Sequence, residues 1–89
     1  MDVEEYTNET HILLYPNPVS HTLNINLEDA VEDIDQIRLV DNLGRCSQTL
    51  SVESALLNLD CSTYAPGIYY VNFINNDGKQ TDSRKIIIK

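Results

Sequence analysis

Six consecutive residues, Thr22-Leu23-Asn24-Ile25-Asn26-Leu27, alternate polar and apolar without a break. A period of two puts Leu23, Ile25 and Leu27 on one face of an extended chain and Thr22, Asn24 and Asn26 on the other. That is the pattern of a strand half in a core and half in water. A strand cannot satisfy its backbone alone, so this segment commits the chain to a sheet and directs the search to the sequence around it.

Partners are present on both sides. Ile12-Leu13-Leu14-Tyr15 is a short apolar run closed by Pro16-Asn17-Pro18, where proline cannot continue a ladder and a rigid corner is expected. Ile37 and Leu39 alternate with Gln36, Arg38 and Val40, and Asp41-Asn42-Leu43-Gly44 supplies a hairpin turn into residues 45–50. Residues 56–59 and 67–74 read as two more strands. Asn75-Asn76-Asp77-Gly78 then turns the chain into a seventh, which ends in Arg84-Lys85-Ile86-Ile87-Ile88-Lys89. In residues 27–34, Leu27, Ala30, Val31 and Ile34 fall at helical spacing amid Glu28, Asp29, Glu32 and Asp33, which allows a turn or two of helix at most. About seven short strands spaced by roughly 8–12 residues predict an all-β, two-sheet sandwich of antiparallel strands.

Composition agrees. Leu, Ile, Val and Phe supply 26 of the 89 residues, enough for a folded core, whereas Ala occurs only three times and Asn nine. The length allows one domain. Residues 1–10 are polar and acidic without periodicity and read as a linker, so the domain is expected over residues 11–89.

The charge of -8 is unevenly placed. Residues 1–37 hold nine carboxylates and no Lys or Arg, whereas residues 38–89 hold six cations and five carboxylates. Nucleic acid is excluded as a partner, because binding a phosphate backbone needs clustered cations that are not there. No apolar run approaches the ~20 residues of a membrane-spanning helix, and the sequence from Met1 to Glu5 has neither the basic nor the apolar region of a secretory leader. An export signal, if the chain is exported, is expected elsewhere.

Catalytic and metal chemistry find no frame. Cys46 and Cys61, the two thiols, lack any Cys-x-x-Cys or Cys-His spacing, and His11 and His21 each sit beside linker or turn residues. Glycine-rich phosphate loops and nucleophile elbows are missing from a chain with three glycines. The carboxylates of residues 28–35 and the Asn75 to Gly78 turn lack the alternating order of a calcium loop. No enzyme, metal or cofactor is therefore expected. Cys46 and Cys61 are left with two states, one disulfide in an oxidising compartment or two buried free thiols.

Three segments taken in order resemble one family. They are Tyr15-Pro16-Asn17-Pro18 followed by Leu23 and Ile25; Ile37-Arg38-Leu39-Val40-Asp41-Asn42-Leu43-Gly44-Arg45; and Pro66-Gly67-Ile68-Tyr69-Tyr70-Val71 ahead of the basic terminus from Arg84 to Lys89. Together they resemble the C-terminal sorting domain of the type IX (Por) secretion system over about residues 12–89. The resemblance implies an Ig-like sandwich that follows a cargo domain, addresses it to an outer-membrane secretion translocon from the periplasm, and is then removed by a sortase-like peptidase within residues 1–10. The cargo would end secreted or on the cell surface. The recognition features map onto Pro16, Asn17 and Pro18, onto Gly44, onto Gly67 and Tyr69, and onto Lys85, Ile86, Ile87, Ile88 and Lys89.

The residues themselves admit plainer roles. Gly44 and Gly67 stand where the chain turns into a strand. Tyr69, Val71 and Phe73 share a face expected to be core, while Ile68, Tyr70 and Ile74 share the other, expected to be partly exposed. Arg84, Lys85 and Lys89 around three isoleucines suit either recognition, including strand addition at a free sheet edge, or a guard against edge aggregation. A competing function is an Ig- or fibronectin-like binding or spacer module of a secreted glycan-active protein, for which Tyr6, Tyr64 and Tyr70 are too scattered to form a planar row.

Overall fold

A computed structural model describes residues 12–89; residues 1–11 lie outside the described residues, and with them the expected linker, Tyr6 and His11. The chain runs through β1 (Leu13–Tyr15), β2 (Thr22–Asn26), a 3-10 helix (Glu28–Glu32), β3 (Ile34–Asp41), β4 (Cys46–Ser51), β5 (Leu56–Asp60), β6 (Gly67–Asn75) and β7 (Gln80–Ile88). Two antiparallel sheets result, one ordered β1-β2-β5 and the other β4-β3-β6-β7. The expected Ig-like sandwich is the fold.

The sheets face each other through the alternation read above. Leu23, Ile25 and Leu27 from one side meet Ile37, Leu39, Val71, Phe73, Ile86 and Ile88 from the other, all fully buried. Each such side chain contributes roughly 1.5–3 kcal/mol relative to exposure, so this interlayer cluster dominates the stability of so small a domain. Within residues 27–34 there is a single 3-10 segment, Glu28–Glu32, that buries Ala30 while Glu28, Asp29, Glu32 and the following Asp33 stay outside. Glu28 enters it at a φ of 51°, its amide donating to the Asn26 side chain at 3.0 Å.

Two hairpins use one device. In the first, the Asp41 Oδ1 accepts the amides of Leu43 and Arg45, both at 2.9 Å, while Gly44 takes a φ of 87°. In the second, the Asn75 Oδ1 accepts the amides of Asp77 and Lys79, both at 2.9 Å, and Gly78 takes a φ of 84°. The shared sequence logic is an Asx residue, a glycine three positions on and a cation after it, which fits a type I turn closed by a left-handed glycine.

Two expectations need correction. Ile74, expected on the partly exposed face with Ile68 and Tyr70, is buried, because the ladder shifts register between Phe73 and Ile74 and again between Ile34 and Gln36. The cysteines form no disulfide, and only one of them is buried. Cys61 lies in the core. Cys46 pairs across the ladder with Val40 and points to the outer face, where its thiol meets the Thr49 hydroxyl at 3.5 Å. The two thiols therefore lie apart, Cys46 exposed on β4 of the four-stranded sheet and Cys61 buried just past β5 of the other sheet.

Candidate recognition surface

Strand pairing carries the separated motif residues to one end of the four-stranded sheet. β3 ends at Asp41, which lies opposite Tyr69 on β6; Tyr69 lies opposite Ile86 on β7, and Gly67 opposite Ile88. Gly44 sits in the turn that leaves Asp41, its amide donating to the Asp41 carbonyl at 3.0 Å. Beyond β7, Val19 forms a parallel bridge with Ile88. The Val19 amide donates to the Ile87 carbonyl at 2.8 Å, and the Lys89 amide donates to the Val19 carbonyl at 2.9 Å. One position further out, the Asn17 Oδ1 accepts the Ile87 amide at 3.0 Å.

The proline corner is thus a clamp on the last strand. Both Tyr15-Pro16 and Asn17-Pro18 are cis peptide bonds. At residues 87–89 the outer edge of β7 is occupied by Asn17 and Val19, so the free edge expected there for strand addition is closed.

The gathered residues sort by exposure. Pro16, Asn17, Pro18, Gly44, Gly67, Lys85, Ile87 and Lys89 are exposed, whereas Tyr69, Ile86 and Ile88 are buried and hold the end together from inside. The Tyr69 hydroxyl donates to the Ala65 carbonyl at 2.7 Å, a tyrosine corner at the start of β6 that fixes the approach of Pro66 and Gly67. Gly67 takes a φ of 156°, where an L side chain is strained, and a Cβ there would stand 3.9 Å from the Tyr69 ring. Tyr64 stacks obliquely on Tyr69 at 6.1 Å and donates from its hydroxyl to the Gln48 side chain at 2.7 Å, tying the loop after β5 to β4.

Electrostatics at this end are local. The backbone amide of Arg45, the amide of Leu43 and the Arg45 guanidinium hold the Asp41 carboxyl below its ordinary range. Burial pushes the Cys61 thiol and the Tyr64 hydroxyl up.

Sequence reading did not find Val19, whose single apolar side chain beside Ser20 carries no periodicity, or the acceptor role of Asn17. It did separate Ile68 and Tyr70 from the core face of β6. Far from this end, Ala30, Asp33, Ile34, Asn75 and Asp77 line a shallow cleft of about 370 Å³. Among the described residues no three His, Cys, Asp or Glu side chains gather as a metal site, and no helix is long and apolar enough to cross a membrane.

The profile of one family, the secretion system C-terminal sorting domain, matches residues 13–89, from the first strand through the last residue. The chain belongs to that family. Among curated proteins, none matches. The sorting domain is a type IX secretion signal, and a protein that bears it is secreted or displayed at the cell surface. Members of the family are not catalytic. The match spans the whole sandwich, so every element that builds the gathered end lies within the sorting domain.

Proposed function

We propose that this sorting domain acts as a folded address whose readable part is the end where the proline corner, the Gly44 turn, the Gly67 turn and the last strand meet. The observation that carries the reading is the closure of β7 by Asn17 and Val19. Segments at opposite ends of the fold become one surface only when the domain is folded. In this reading the outer-membrane translocon recognises that surface from the periplasm, Lys85, Ile87 and Lys89 contribute exposed contacts, and Tyr69, Ile86 and Ile88 act by holding the end in shape. A sortase-like peptidase then cuts within residues 1–10, and the cargo is released or attached to surface lipopolysaccharide.

The test fuses residues 11–89 behind a periplasm-directed reporter in a cell that has the type IX machinery. The reporter is expected in the medium or on the surface. A reporter that stays in the periplasm while the domain is folded contradicts the reading.

A further inference from the structure

We infer that the outer face of the four-stranded sheet, beside the gathered end, is the docking face for a partner protein whose own patch is apolar with carboxylates around it. This rests on the function proposed above and names the face used. Ile68 and Ile87 are cross-strand neighbours, each 41% exposed, and Tyr70 beside them is 36% exposed and pairs with Lys85 on one side and Val40 on the other. Large apolar side chains side by side on an open sheet face are the composition of an interface centre.

Charge selects the partner. The row through Val40, Tyr70 and Lys85, the Ile68–Ile87 pair, and the row through Arg38 behind them contain no Asp or Glu, in a chain with 14 carboxylates and a net charge of -8. Asp41 lies at the border, and its carboxylate is engaged by Arg45 at 2.9 Å. The face therefore carries Arg38 and Lys85 on a protein that is otherwise acidic. A second copy is disfavoured, since self-pairing would set Lys85 and Arg38 against like charges, whereas carboxylates on a partner would steer encounter and fix register. With the β7 edge closed at residues 87–89, docking uses side chains on this face rather than strand addition there.

The experiment uses the exported reporter fusion with a photo-crosslinking residue at Tyr70, and separately at Leu56, which is 66% exposed on β5 of the other sheet. The face predicts a protein adduct from position 70, several-fold weaker in Lys85→Glu and several-fold weaker when cells are irradiated in high salt, with little adduct from position 56. A paired export assay compares Ile68→Ser/Tyr70→Ser with Leu56→Ser, both checked for a native circular dichroism spectrum; at least a tenfold drop is expected for the first only. Equal adducts from both positions, an adduct to lipopolysaccharide alone, or full export of Ile68→Ser/Tyr70→Ser overturns the docking face while the sorting function stands. Failure of the unaltered fusion to leave the periplasm instead removes the function on which it rests.

Discussion

Asn17 and Ile87, 70 positions apart, share a hydrogen bond of 3.0 Å in which the Asn17 carboxamide oxygen accepts the Ile87 amide. The Ile87 amide needs an acceptor on the outer edge of the last strand, and the Asn17 side chain supplies it where the proline corner interrupts the regular ladder. A short polar side chain thus extends the sheet by one rung and joins the first turn of the domain to its last strand.

Removing that side chain tests the clamp. Asn17→Ala is expected to lower stability by about 1 kcal/mol, the usual net worth of one hydrogen bond, and to drop the melting midpoint by roughly 4–8 °C for a domain this size. Faster hydrogen exchange at the Ile87 amide, with unchanged exchange at the β3–β6 ladder, would place the loss at the clamp. An unchanged Ile87 exchange rate would show that the bond contributes nothing.

Tyr69 makes a second, separable prediction. Tyr69→Phe keeps the buried ring and removes only the hydroxyl that reaches Ala65. We expect a loss of about 1 kcal/mol in a urea titration, seen as a lower midpoint with the slope unchanged. A wild-type midpoint would mean that the corner is positioned by packing with Tyr64 alone.

Most of the fold was legible in the sequence because its signals are local. The alternation of residues 22–27 and 67–73, and the Asx and glycine at Asp41 and Gly44 and at Asn75 and Gly78, specify strands and hairpins whose partners are near in sequence. The site was legible only in part. Val19 and Asn17 act on Ile87, Ile88 and Lys89 across the whole chain, and neither periodicity nor turn chemistry reports a contact that depends on how two sheets close. Ile74 was misplaced for a related reason, since a bulge shifts the face without changing the residue pattern.

Acid should loosen the first hairpin. The Asp41 carboxyl is held below its unfolded value by the Arg45 and Leu43 amides and by the Arg45 side chain. A depressed folded-state pKa means that the stabilisation is complete above the unfolded value of about 3.9 and is lost as pH falls through the folded value. Asp41→Asn keeps the acceptor oxygen, as Asn75 does in the second hairpin, and removes the titration. The stability difference between wild type and Asp41→Asn should shrink as pH drops below about 4, measured by urea melts across that range. A difference independent of pH would contradict the assignment.

The thiols should behave differently from each other. Cys46 is exposed and Cys61 buried with its thiol pushed up by desolvation. In the native protein a thiol reagent should label one site, Cys46, and reach Cys61 only on unfolding. Labelling of neither in the absence of reductant would point to a disulfide and overturn this placement.

The folded end gathered around the last strand is expected to be the secretion address. Its most direct measurement is the fraction of reporter found outside the cell for the fusion of residues 11–89 and for the same fusion lacking Ile87, Ile88 and Lys89, in the same cells. Export of the first and periplasmic retention of the second are expected. Equal export of both would show that the clamp and the last strand are not what the machinery reads.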